Sequence, residues 1–457
     1  MKNASLKLIE TTESLCPVCL RKLPAEVRRN GEEIMLCRVC PDHGAFQETI
    51  WRGKPDFETW RRPKTPVTGL KTQTSAERGC PNDCGRCPDH GQHACTVLLE
   101  LTTLCNLRCP VCFANSGSLE DTPVPADTFI ERMHWIREEA GEVVLQLSGG
   151  EPTLYPELAP LVKEGLKLFP AVQLNTNGIR LAEDFQMVQE LAEAGLSWVF
   201  LQFDGVSDQT FEKIRGRALF DIKMKAIEAC AKAGLSVVLV PTVAAGINDH
   251  EMGELFRLAL SLGPTVRGVH IQPMTTSGRN PFPGSAGRLT LPEILTKLHE
   301  QTGGLVRPEA AFPPSCEHER CSFHLRYRRK DDGTIVPMGG ESECCCKTTD
   351  VPLSAEETAE GRRRSVEVTL NSWQAPAPKP LLGIPMSGQT NAFDEFIAKA
   401  RQEVFSLTCM AFQDVWTADL ARLRGCCVHV FSPPDKLMPF CAFNLTSADG
   451  RPLHRRG

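Results

Sequence analysis

The chain has 457 residues, 41% of them hydrophobic and 23% charged, an ordinary globular balance with enough length for two or three domains. A formal net charge of −5 argues against a large nucleic-acid footprint, which needs a basic surface, and the cluster Arg362, Arg363 and Arg364 reads as solvated surface. The longest apolar stretch, LSVVLVPTVAAG from Leu235, is well short of the ~20 residues of a membrane-spanning helix, and the N-terminus MKNASLKLIETTESLC lacks the apolar core of a secretory signal, so the expected compartment is the cytoplasm.

Twenty-one cysteines, many in C-x2-C pairs of an unsignalled chain, point to metal or cluster ligation rather than to a secreted disulfide framework. The first are Cys16-Pro-Val-Cys19 and Cys37-Arg-Val-Cys40. Two such pairs on facing turns make a tetrahedral four-sulfur site for zinc or a rubredoxin-type iron. Residues 51–79, with several prolines and few periodic apolar positions, read as a connection. Cys80, Cys84 and Cys87 then form a C-x3-C-x2-C, followed by Cys95 after seven intervening residues. Four thiolates close a 4Fe–4S cluster completely, which marks this copy as auxiliary. His43, His90 and His93 flank these cysteines, either hydrogen-bonding to the ligands or lying in solvated loops.

The same C-x3-C-x2-C recurs at Cys105, Cys109 and Cys112, and three thiolates leave one iron of a cube open. This copy follows TVLLEL, a predicted strand at 96–101. Further strands are predicted at 143–147, 171–175, 198–203, 236–241 and 269–273, with helices at 126–139, 156–168, 181–194, 222–233 and 251–262. Six apolar strands alternating with helices imply a buried parallel sheet wound by right-handed crossovers, here an α/β fold of the partial (βα)6 barrel type. Chemistry in such barrels gathers at the C-terminal strand ends. Those ends carry the second cysteine triplet, Ser148-Gly149-Gly150-Glu151-Pro152, Asn175-Thr176-Asn177-Gly178, Gln202-Phe203-Asp204-Gly205, Pro241-Thr242-Val243 and Gln272-Pro273-Met274.

C-N-L-R-C-P-V-C after the first strand and G-G-E-P after the second resemble the radical SAM superfamily. The resemblance implies that the open iron chelates S-adenosylmethionine and that one electron releases a 5′-deoxyadenosyl radical. It further implies that Gly149 and Gly150 give close approach to the methionine end and that Ser148 and Glu151 line it with polar contacts. Asn175, Gln202 and Asp204 then reach the ribose or carboxylate. Val111 stands where many members carry an aromatic residue, and Phe113 is a candidate shield. The run C-P-N-D-C-G-R-C-P-D-H-G-Q-H-A-C, the strand-six I-Q-P-M-T-T-S-G-R and the C-terminal C-M-A-F-Q-D-V-W-T-A-D-L-A-R-L-R-G-C-C-V-H are similar to the family of tetraether lipid synthase and a pterin-methylating radical SAM enzyme.

That family implies a third cluster on Cys409, Cys426 and Cys441, with Cys316 or Cys321 as fourth ligand and Cys427 turned away. Cys344, Cys345 and Cys346 are awkward as ligands of one cube. Cys230 reads as a core residue, and His270 as pointing into the barrel. The expected organisation is a four-cysteine knuckle (1–63), an auxiliary cluster segment (64–95), the barrel (96–300), a cysteine-containing extension (301–350), a linker or surface insertion (351–391) and a C-terminal auxiliary cluster region (392–457). The expected function is hydrogen abstraction followed by carbon–carbon bond formation on a lipid tail or a pterin-like ring, with a reductant such as flavodoxin or ferredoxin. Peptide modification and a non-catalytic iron–sulfur electron carrier are the alternatives, and the carrier leaves G-G-E-P unexplained. A long dry tunnel over the open iron would mean lipid, a small polar pocket a heterocycle.

Overall fold

A computed structural model describes the chain except residues 1–5, 63–66, 68–69, 118–122, 283, 285, 315, 331–333, 339–354, 375–402 and 456–457. Cys344, Cys345 and Cys346 therefore lie outside the described residues. An N-terminal antiparallel ribbon runs β1 (Lys7–Leu15), β2 (Lys22–Asn30), β3 (Glu33–Cys40) and β4 (Gly44–Arg52) in sequence order. Alternation decides its faces: Leu23, Ala25, Val27, Ile34 and Leu36 are buried, while their neighbours face outward. In such a meander the β1–β2 and β3–β4 turns fall at the same end.

The six expected barrel strands are present and parallel. They are β5 (Thr96–Thr102), β6 (Val144–Gly149), β7 (Ala171–Thr176), β8 (Trp198–Gln202), β9 (Val237–Val240) and, after the two-residue β10 (Thr242–Val243), β11 (Val266–Pro273). The intervening helices include α1 (Ala126–Ala140), α2 (Leu158–Leu168) and, further on, Asp208–Arg215, Phe220–Ala233 and Met252–Ser261. Outward residues such as Leu145, Leu147, Val172, Leu174, Val199 and Leu201 join one apolar core with Phe129, Met133, Leu161 and Phe256 of those helices.

Two further parallel strands come from the C-terminal region. β12 (Ser322–Arg329) and β13 (Ile335–Pro337) precede β14 (Val404–Met410), β15 (Val428–Ser432) and β16 (Lys436–Pro439). β14 adds parallel to β11 at one edge, and β15 adds parallel to β5 at the other. Residues 411–427 thus pass from one edge of the parallel sheet to the other, while β12, β13 and β16 extend it antiparallel.

The described part of 351–391 is not a linker. Ala355–Trp373 is a 19-residue helix. Its Val366, Leu370 and Trp373, spaced for one face, pack on Trp198, Phe200 and Val238 inside the barrel. The Trp373 ring lies 5.8 Å from Trp198 and 5.0 Å from Phe200, and its Nε1 donates to Ser406 Oγ at 2.8 Å. Trp198 opens β8, so this helix fills the barrel at its N-terminal end. Among the described residues no helix is long and apolar enough to cross a membrane.

Candidate active site

The mouth of the barrel opens on a cavity of about 360 Å³. Cys105, Cys109 and Cys112 line it, together with Ser148, Gly149, Gly150, Glu151, Asn175 and Gln202. The cysteine loop is fastened by backbone contacts. Gly150 N donates to Thr102 O (2.8 Å) and Glu151 N to Leu104 O (2.7 Å). A Cβ on Gly150 would stand 2.1 Å from Leu104 O, and one on Gly149 (φ +125°) 2.5 Å from Thr102 O. In this structure the two glycines therefore make room for the chain leading into the cysteine loop. On the far side Arg279 exchanges backbone hydrogen bonds with Cys112 at 2.9 Å and donates from Nε to Cys109 O at 2.6 Å.

Glu151 is 1% exposed, and its carboxylate is committed to protein donors. Oε1 accepts from Thr153 N (3.1 Å), Thr153 Oγ1 and Thr176 Oγ1 (both 2.6 Å), and Oε2 from Asn177 N (2.8 Å). It locks the end of β6 to the end of β7. Asp204 departs from expectation: it does not line the cavity. Its Oδ1 and Oδ2 take Nη2 and Nε of Arg215 at 2.6 and 2.7 Å, and Oδ1 also accepts from Thr242 N at 3.0 Å. The residue at the cavity is Arg215, which sequence reasoning missed because no motif surrounds it. Its Nη1 donates to Val111 O at 3.1 Å. Burial opposes its charge, but Asp204 outweighs burial and holds the guanidinium above its usual pKa.

Burial pushes the Cys105 thiol up to about 12, with Glu151 and the other two thiols adding to the effect. Burial likewise raises Cys109, against the pull of Arg215. Thiols raised in this way, as Cys105 and Cys109 are, become thiolates only beside compensating positive charge, which iron supplies and Arg215 supplements. The donor set therefore fits an iron–sulfur cube.

Below the mouth the lumen is lined by carboxamides from four strands: Gln146, Gln173, Asn175, Gln202 and Gln272. Gln173 Nε2 donates to Asn175 Oδ1 (2.5 Å), Asn175 Nδ2 to Gln146 Oε1 (3.3 Å), and Trp198 Nε1 to Gln173 Oε1 (2.9 Å). Period-two alternation could have flagged Gln146 and Gln173 as lumen residues, since each sits between outward apolar neighbours. His270 points into the lumen as expected. Its ring lies 5.4 Å from Phe200, and Nδ1 is 2.8 Å from Thr408 Oγ1. Lys223 is also buried and unforeseen. Its Nζ donates to Asn177 O and to Gln202 Oε1 (3.2 Å), and burial pulls its pKa down to about 8.

Residues 99–259 match the Radical SAM superfamily, and residues 8–52 match the HMPTM N-terminal zinc ribbon domain. A 7,8-dihydro-6-hydroxymethylpterin dimethyltransferase of Methanocaldococcus jannaschii is 31% identical, with 97% of this chain and 94% of that protein covered. The chain belongs to the radical SAM superfamily, in the family of that dimethyltransferase. A GTP 3′,8-cyclase of Clostridium acetobutylicum is 26% identical over 54% of this chain and 82% of its own. Streptococcus suis SuiB bound to its precursor peptide SuiA matches at a TM-score of 0.40, with 15% identity over 47% of this chain and 46% of that one. As a radical SAM enzyme this protein uses a 4Fe–4S cluster and S-adenosylmethionine.

The N-terminal ribbon of this radical SAM enzyme gathers a different ligand set from the expected one. Cys16, Cys19, Cys40 and His43 offer ligand atoms that all lie within 4.8 Å of one another. Cys40 Sγ is 3.4 Å from His43 Nδ1 and 3.9 Å from Cys19 Sγ. Cys37 is not in this group. It lies three residues before Cys40 on β3, so the two side chains leave opposite faces, and Cys37 sits opposite Glu26 and Gln47 instead. The signal was present in the sequence: Cys40-Pro-Asp-His43 repeats the C-P-x-X form of Cys16-Pro-Val-Cys19, whereas Cys37-Arg-Val-Cys40 does not.

The remaining cysteines regroup. Cys80 and Cys84 hydrogen-bond through their thiols, and Cys87 and Cys426 bear on Cys84. Cys95 does not join them; its thiol lies against Cys316 and Cys427. Cys427 thus turns away from its neighbour Cys426, as expected, and meets Cys95 and Cys316 instead. Cys426 and Cys321 bear on Cys441, and Arg422 Nη2 donates to Cys321 Sγ at 3.0 Å. Cys409 stands apart from all of these. It lies on β14 between Ile271 and Phe323 in the main core, its thiol raised by burial alone. Cys230 is a core residue as expected, pushed up to about 12 by burial.

Proposed function

We propose that the protein is a radical methyltransferase that takes hydrogen from an unreactive C–H bond of a pterin-like heterocycle and forms a carbon–carbon bond there to a methyl group released from a one-carbon donor co-substrate, the external reductant supplying the electrons. The observation that carries this reading is the lining of the cavity. Five carboxamides and the rings of Phe200, His270 and Trp373 offer a flat bicyclic heterocycle stacking surfaces and paired donors and acceptors. A lipid tail would cover the amide donors and acceptors that remain facing the cavity beyond these side chains' own hydrogen bonds, and would offer them no partner. The M. jannaschii relative, a 7,8-dihydro-6-hydroxymethylpterin dimethyltransferase, points the same way.

In this reading Cys105, Cys109 and Cys112 hold the catalytic cube. A 4Fe–4S cube held by these three thiolates would supply the single electron needed for reductive cleavage of S-adenosylmethionine. The chain's own residues do the positioning. Arg215 keeps positive charge beside Cys109 and anchors Val111. Glu151 holds the ends of β6 and β7 in register around the cofactor, and Asn175 and Gln202 are the polar groups that meet it or the substrate. Auxiliary clusters are assigned to the Cys80, Cys84 and Cys87 set and to the Cys321, Cys426 and Cys441 set. Cys16, Cys19, Cys40 and His43 hold zinc or iron. The electron comes from an external reductant of the flavodoxin or ferredoxin kind.

The test is anaerobic turnover of the reduced holoenzyme with S-adenosylmethionine and 6-hydroxymethyl-7,8-dihydropterin, read by mass spectrometry. Formation of 5′-deoxyadenosine together with a ring or side-chain methylated pterin supports the reading. Production of 5′-deoxyadenosine stimulated by a long-chain lipid or a peptide, and not by the pterin, would overturn it.

A further inference from the structure

The lower end of the same cavity carries a charge that the proposed reaction does not use. Arg326 of β12 lines it, and among the described residues its side chain has no hydrogen-bond partner, with Nε buried and unsatisfied. The other lining arginines are engaged: Arg215 by Asp204, Arg279 by the Cys109 carbonyl, and Arg62 by Pro313 O at 3.0 Å. Arg326 stands directly opposite Ser406 of β14 in the antiparallel register, so the two side chains share a face. Ser406 Oγ already accepts from Trp373 Nε1 at 2.8 Å, which leaves its own proton to donate. One step along, His324 faces Thr408, and both also line the cavity.

The two lining carboxylates do not answer this cation. Glu151 is spent at the mouth on Thr153, Thr176 and Asn177, and Glu317 bears on Cys95 and Cys426. A half-buried guanidinium without a counter-charge is costly, and a forked cation beside a free hydroxyl proton is the donor set that phosphate and carboxylate take up.

We propose that this end of the cavity is an anion subsite that receives a phosphate or carboxylate carried on the side chain of the substrate, while the ring lies over the carboxamides toward the cysteine loop. The assignment rests on the heterocycle reading above and narrows it to an anionic heterocycle. Arg326 and Ser406 are specificity residues: they select the tail and leave the radical chemistry to the mouth.

The experiment compares KM values of the reconstituted holoenzyme for neutral 6-hydroxymethyl-7,8-dihydropterin, its phosphate ester and 6-carboxy-7,8-dihydropterin, in wild type, Arg326→Met and Arg326→Lys. Wild type should favour one of the anionic substrates over the neutral one by roughly tenfold or more, as a charge-assisted hydrogen bond implies. The favoured anion identifies the tail. The ratio should fall to near one in Arg326→Met and be partly kept in Arg326→Lys, with iron content and far-UV circular dichroism matching wild type. Equal KM values in wild type, or a preference that survives Arg326→Met, would overturn the subsite. Calorimetric titration with inorganic pyrophosphate separates the two readings. If no pterin is turned over but pyrophosphate binds wild type and not Arg326→Met, the anion site stands and the heterocycle reading falls. Binding to both alike, or to neither, removes the subsite whatever the substrate.

Discussion

Replacing Asp204 by Asn tests whether this carboxylate acts on the cofactor or on Arg215. Both partners are buried, Asp204 at 1% exposure and Arg215 at 7%, and three hydrogen bonds of 2.6, 2.7 and 3.0 Å end on the carboxylate. Removing one charge of such a pair leaves the other uncompensated, at a cost of about 3–5 kcal/mol. Asn keeps one acceptor oxygen, so the lower end, about 3 kcal/mol, is expected. Anaerobic urea denaturation of the holoenzyme, followed by far-UV circular dichroism, reads this as a lowered midpoint. The double variant Asp204→Asn/Arg215→Met should recover part of the loss, because no unpaired guanidinium then remains buried. Iron content of Asp204→Asn should also fall, since Arg215 anchors Val111 between Cys109 and Cys112. If Asp204→Asn instead weakened S-adenosylmethionine binding at unchanged stability, and the double variant recovered nothing, the positioning role would be refuted.

In the ribbon, Cys37→Ser should leave one metal ion bound and His43→Ala should lose it, with His43→Cys restoring it, as zinc analysis of protein prepared in zinc-supplemented medium would show; loss in Cys37→Ser with retention in His43→Ala would reverse the assignment. Burial pulls His270 down to about 3 from its ordinary 6.5, so the native state stays neutral where the unfolded chain takes up a proton. The stability this neutral residue contributes is therefore fully present above about pH 6.5 and declines as pH falls toward 3, by up to about 1.4 kcal/mol per pH unit. Urea midpoints measured at about pH 7.5 and about pH 5.5 should differ less in His270→Gln than in wild type, and an unchanged difference would refute it.

The six barrel strands and the cysteine triplet at the end of the first were legible in the chain because each rests on local pattern: apolar runs between helices, and ligand spacings of a few residues. Glu151, Asn175 and Gln202 were found by the same rule, since strand ends converge wherever parallel strands are wound in order. Local pattern failed where a partner lies far away in sequence. β14 and β15 join opposite edges of the sheet, and nothing within either strand names β11 or β5 as its neighbour. Cys95, Cys316 and Cys427 meet only because those edges are brought together. Cys409 was misassigned because core and ligand cysteines look alike until burial is known. Asp204 and Arg215 make the same point in reverse: the strand-end position of the aspartate was readable, but the helix that turns an arginine onto it was not. The six central strands and the cysteine loop followed from short-range periodicity and spacing, and the motifs C-N-L-R-C-P-V-C and G-G-E-P carried the resemblance to the radical SAM superfamily. Which thiols stand together, which charges are paired and which one, at Arg326, is left facing the cavity came from the folded chain, because those contacts join separate elements, some 11 residues apart, as Asp204 and Arg215 are, and others hundreds, as Cys95 and Cys427 are.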